Sequence, residues 1–163
     1  MMNTWRQTSR ARLAAAMLIS LLLTACSGGD VASVSGSLTA NGVTAHPAHV
    51  RVVEGASSAG PTIEVVMTEA DASLAEAPVN DLLMMRLGSG AVARFRRSDL
   101  QFIGVIVAHP GFHERGVNLN GLFDAKDVSL EGGVLRARLA PDEPLTFMGG
   151  SVELDLTFEV SVP

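Results

Sequence analysis

The stretch SVELDLTFEVSV, residues 151–162, decides the fold class. Val152, Leu154, Leu156, Phe158, Val160 and Val162 alternate without a break with Ser151, Glu153, Asp155, Thr157, Glu159 and Ser161. A period of two places every apolar side chain on one face of an extended chain and every polar one on the other. A strand that is apolar on one face only belongs in an antiparallel sheet, with one side on a core and the other in water.

The preceding segments support the same class. SVSGSLTA (33–40) and HVRVV (49–53) flank Asn41 and Gly42, a pair that tolerates positive φ and predicts a tight turn closing an opening hairpin. EGASSAGP (54–61) reads as a loop and TIEVVMT (62–68) as the next strand. In VNDLLMMRLG (79–88) a short helix is expected after Asn80, with Leu82, Leu83, Met85 and Leu87 as its apolar side and Gly88 as its stop. AVARFRR (91–97) returns to strand character. LQFIGVIVAH (100–109) is apolar on both faces, as a central strand between two layers is. VNLNGLFDA, VSLEGG and GVLRARLA follow as short β-like pieces separated by Asn, Asp and Gly. Seven or eight strands and at most one short helix predict an all-β chain, an antiparallel β-sandwich of immunoglobulin-like size, with an up-and-down barrel as the alternative.

The N-terminal segment is of another kind. Arg6, Arg10 and Arg12 precede an apolar run from Leu13 to Leu23, broken only by Ser20, and no acidic residue appears before Asp30. That order is an export signal, and its apolar part falls short of the ~20 residues of a spanning helix. Leu23, Thr24, Ala25 and Cys26 resemble the lipobox of bacterial lipoprotein precursors. The resemblance implies cleavage before Cys26, with a diacylglyceryl group on its sulfur and a further acyl chain, such as palmitate, on the new amino group. The expected organisation is a signal peptide over 1–25, a lipidated tether over 26–33 and a β-sandwich domain over 34–163. Two or three acyl chains hold a protein on a membrane where one binds reversibly. Ser27 is not the aspartate that resembles an inner-membrane retention signal in many Gram-negative bacteria, so the expected address is the outer membrane, on its periplasmic or surface face. GSLTANG, GLFDAKDVSLEGGVLRARL and ELDLTFEV also resemble predicted secreted or lipid-anchored bacterial β-domains of unknown function, a likeness that carries no catalytic motif.

Removal of residues 1–25 leaves 138 residues, with nine basic against seventeen acidic side chains and no second cysteine. A net charge near −8 argues against nucleic acid as a partner, and a lone, acylated cysteine leaves no thiol for a disulfide or a redox pair. No GxSxG elbow, cysteine nucleophile or phosphate loop is present, so no catalytic residue is assigned, no cofactor is expected and the protein is read as a non-enzyme.

Four histidines form two close pairs, His46 with His49 in HPAH and His109 with His113 in HPGFHE. Neutral imidazoles suit zinc or copper, and Pro110 and Gly111 suit a reversing turn that would bring His109 and His113 together, with Glu114 as an oxygen ligand. Glu153, Asp155 and Glu159 on the last strand read as a solvated face rather than a Ca²⁺ site, since alternate residues lie ~7 Å apart. Arg94, Arg96 and Arg97 form the basic cluster of an acidic domain, available to an anionic surface or to acidic neighbours. With no tyrosine, and Trp5 inside the signal, phenylalanine is the whole aromatic set of the mature chain, and its place in strand patterns assigns it to the core. The expectation is a lipid-anchored binding or assembly module for another envelope protein. The alternative is a periplasmic Zn or Cu protein using the paired histidines.

Overall fold

A computed structural model describes residues 30–163 except 59, 114–115 and 148–149. The signal segment, Cys26 and Glu114 lie outside the described residues. In chain order the elements are β1 (Ala32–Ala40), β2 (Val43–Ala45), β3 (His49–Ser57), β4 (Gly60–Thr68), α1 (Pro78–Leu83), β5 (Gly90–Arg96), β6 (Phe102–Ala108), β7 (Gly116–Asn118), β8 (Lys126–Glu131), β9 (Val134–Leu139), β10 (Leu145–Phe147) and β11 (Gly150–Ser161). Eight strands have six residues or more and three have three. They form two antiparallel sheets, β2-β1-β11-β9-β8 with β10 beside β11, and β3-β4-β5-β6-β7. The sandwich expected from the period-two pattern is therefore the fold.

The alternation in β11 does what it predicts. Val152, Leu154, Leu156, Phe158 and Val160 are buried, while Ser151, Glu153, Asp155 and Thr157 are exposed. Its central place is explained by length: β1 pairs with it from Ala32↔Val160 to Ala40↔Val152, and β9 pairs along its other side. Facing it, Ile63, Val65, Met67, Ala91, Ala93, Phe95, Val105 and Val107 fill the inner side of the second sheet.

The second sheet is covered on both sides, which is why its strands read as continuous apolar runs. On its outer side Val66, Val92 and Ala108 pack with Ala72, Leu82 and Leu87 from α1 and the segments flanking it. Arg51 fixes this cover: its Nη1 donates to the carbonyls of Ala72 at 2.9 Å, Ser73 at 3.2 Å and Ala75 at 2.7 Å. Strands of the two sheets cross. Ala32 lines a cleft with Ala48–Arg51 at the start of β3, whereas Asn41, past the other end of β1, donates to the Gly111 carbonyl beyond β6.

Several local expectations need correcting. Asn41 (φ 50°) and Gly42 (φ 79°) do make the tight turn, but its second strand is the three-residue β2. HVRVV belongs to β3, in the other sheet, because Pro47 offers no N–H to a ladder and the chain leaves before it. EGAS of the expected loop continues β3 to Ser57, paired with Gly60 to Thr62 and beyond. The helix opens at Pro78, whose ring suits the first turn, and ends at Leu83. Of VNLNGLFDA only Val117 and Asn118 lie in a strand. The first sheet also begins earlier than the tether was expected to end, since β1 opens at Ala32 and the Val31 N–H donates to Ser161 Oγ at 2.8 Å.

Candidate functional site

Pro110 and Gly111 reverse the chain after β6, as HPGF predicts, and the Phe112 N–H donates to the His109 carbonyl at 3.1 Å. The turn draws His109 inward. Its side chain is fully buried, its Nδ1 accepts the Gly111 N–H at 2.9 Å, and its ring meets Phe112 edge-on with centroids 6.1 Å apart. With Nδ1 as acceptor, the proton of the neutral ring lies on Nε2, an atom buried with no hydrogen-bond partner among the described residues. Asn41 clamps the turn from the opposite sheet: its Nδ2 donates to the Gly111 carbonyl at 2.8 Å and its Oδ1 accepts the Ser151 N–H at 2.9 Å. The clamp needs a glycine, because a Cβ at Gly111 would stand 2.4 Å from the Ala40 carbonyl oxygen.

Burial lowers the His109 pKa from the ordinary 6.5, with Glu69 acting weakly in the opposite sense. The unfolded chain therefore binds this proton at a higher pH than the folded one does, and stability falls as pH drops through 6.5 until the folded ring also protonates. We expect urea midpoints to decline as the pH is lowered through 6.5. Replacing His109 by Asn, whose oxygen can still accept the Gly111 N–H, should flatten this part of the curve. An equal slope in both proteins would assign the effect to other groups.

His113, by contrast, is exposed. It lines an open cleft with Pro110, Phe112, Met84 and Met85, so the turn separates the two histidines by environment rather than pairing them as equivalent ligands. The methionines come from the end of α1. Met84 is 63% exposed, and Met85 adopts a left-handed conformation with φ 59°.

The other pair is divided between the two sheets. His46 Nδ1 lies 3.1 Å from the Gly36 carbonyl in the first sheet, while His49 opens β3 in the second and lines the cleft with Asp71. Among the described residues no three His, Cys, Asp or Glu side chains converge as a metal site. The acidic face of β11 is cross-linked to β9: Arg138 holds Asp155 in a two-point contact at 2.9 and 3.0 Å, and Arg136 Nε lies 3.2 Å from Glu159. The Arg138 hydrogen bonds hold the Asp155 carboxyl below its ordinary range. The basic cluster is spent on neighbours: Arg94 pairs with Glu64 at 2.9 Å, Arg96 with Asp99 at 3.0 Å, and Arg97 with Glu54 and the Pro163 carbonyl. No family model, curated protein or solved structure matches the chain.

Proposed function

We propose that the protein is a lipid-anchored component of the bacterial cell envelope, attached to the outer membrane through Cys26, and that its β-sandwich is a non-enzymatic binding or assembly module for another envelope protein. The observation that carries this reading is the order of charge, apolar run and LTAC at residues 6–26, followed within five residues by a chain pinned to the first sheet at Val31. A fully extended backbone covers about 18 Å from Cys26 to Val31. An acylated cysteine therefore holds the Val31 end of the domain against the bilayer.

That end has surface suited to such a position. The cleft beside Ala32 includes Ser73, whose neighbour Leu74 is 93% exposed on the loop that Arg51 props. No helix among the described residues is long and apolar enough to cross a membrane. The nine-residue β3 lies at the margin of its sheet and offers backbone groups for strand addition by a partner.

Cys26→Ala is expected to move the protein from the membrane fraction to the soluble envelope fraction and to abolish labelling by radioactive palmitate. Continued membrane fractionation with palmitate label would refute the anchor. Crosslinking in intact envelopes followed by mass spectrometry then tests the module: a partner crosslinked along β3 supports it, and an envelope in which the protein crosslinks to nothing sinks it.

A further inference from the structure

The cleft between the end of α1 and the turn after β6 brings two thioethers and one imidazole to a common opening. Met84 and Met85 enter it from one side and His113 from the other, with Pro110 and Phe112 completing the wall. Among the described residues no carboxylate lines this cleft. Thioether sulfur is a poor ligand for hard or borderline cations and a good one for Cu(I), while imidazole serves copper well.

The backbone around the methionines carries the second observation. Helix α1 ends in a Schellman arrangement: the Arg86 N–H donates to the Asp81 carbonyl at 2.8 Å and the Met85 N–H to the Leu82 carbonyl at 2.8 Å. In that motif the left-handed position is normally glycine, because a Cβ there crowds the following carbonyl. Here it is Met85, with φ 59°. The side chain is partly buried against the apolar cluster on the outer side of the second sheet, and strain of this kind gathers at working sites. Its neighbour Met84 exposes a large apolar side chain to water with no core to fill.

We propose that Met84, Met85 and His113 form a Cu(I)-binding site. Three soft and borderline donors suit a low-coordinate monovalent ion, and the open cleft gives that ion a path from solvent. The site differs from a histidine-pair centre, since His109 is walled into the turn and contributes the position of Phe112 and His113 rather than a metal bond. It stands independently of the lipid anchor.

The test is competition for Cu(I) under reducing conditions against a colorimetric Cu(I) chelator. It uses the full chain carrying Cys26→Ser, so that no thiol competes. The protein should withdraw one equivalent of Cu(I) from the chelator, and Ag(I) should block that withdrawal. A Met84→Leu, Met85→Leu double variant keeps side-chain volume, and His113→Asn leaves the turn in place. Each should lose most of the withdrawal while melting at the same temperature as the parent. Failure of the parent to take Cu(I), or undiminished uptake by both variants, would overturn the assignment.

Discussion

Gly36→Val is expected to destabilise the domain by about 3–5 kcal/mol, or roughly 10–20 °C in melting temperature for a chain of this size. Two independent obstacles act at this residue. Its φ of 114° lies where side-chain-bearing L-residues are rarely found. A Cβ built there would also stand 1.9 Å from the Asp155 carbonyl oxygen and 2.9 Å from its carbon. Both atoms are backbone in the long central strand, so no rotamer change relieves the contact. The strand pairing that must yield is β1 on β11, with Gly36 opposite Leu156 in a ladder of nine residue pairs, and β2 hangs on the far side of β1. Gly42→Ala is the control: Gly42 also has positive φ, at 79°, but a Cβ there meets nothing within 4 Å. It should cost about 1 kcal/mol, the backbone part alone. Equal losses at the two sites, measured by urea unfolding, would show that the β1–β11 contact relaxes and that this account of Gly36 is wrong.

What could be read from residues alone follows how local each cause is. The alternation in 151–162 reports a single environment, core on one side and water on the other, and β11 has it. The two-faced apolar run at 100–109 was equally plain, although the material covering the outer face, Leu82, Leu87 and Ala72 held by Arg51, was not. Asn41 and Gly42 specify a turn through their own φ values, yet nothing local says which strand comes after it. His46-Pro47-Ala48 carries the chain to the other sheet, a fact set by the sandwich and not by the hairpin. EGAS looked like loop because a margin strand needs no apolar residues to be held, only backbone pairing to β4.

The candidate sites were less legible for the same reason. Pro110-Gly111 announces its own turn, but the burial of His109 depends on Ala40 and Asn41, some seventy positions earlier. Met85 fits the apolar count of a helix, which assigned it to a core, and Met84 was left outside that count. The available signal was chemical rather than periodic: two adjacent sulfurs shortly before an expected glycine stop. The arginines of RFRRSD show the converse, since acidic residues from β3, β4 and the turn after β5 neutralise all three.

Phe95→Ala should produce the other large loss, about 4–5 kcal/mol. Deleting a fully buried phenylalanine side chain costs about 3–5 kcal/mol through lost burial and the cavity left behind, and each well-placed aromatic pair adds about 0.5–1.5 kcal/mol. Phe95 has two such partners: Phe102 at 5.5 Å on the neighbouring strand and Phe158 at 6.1 Å, edge-on, from the opposite sheet. Phe102 in turn stands 5.7 Å from Phe123, so one ring joins β11 to a chain of aromatics running under the loop before β8. A register shift lies between Arg94 and Phe95, so that Arg94 stands opposite Gly104 and Phe95 opposite Phe102. Phe95→Leu restores most of the volume and should cost under about 1.5 kcal/mol beyond the loss of the ring contacts. In urea titrations the midpoint should fall steeply for the alanine variant at unchanged slope. A Phe95→Ala loss below about 2 kcal/mol would mean that the sheets close over the gap, and that the contact between them is carried by the aliphatic side chains of β4 and β11 rather than by this ring.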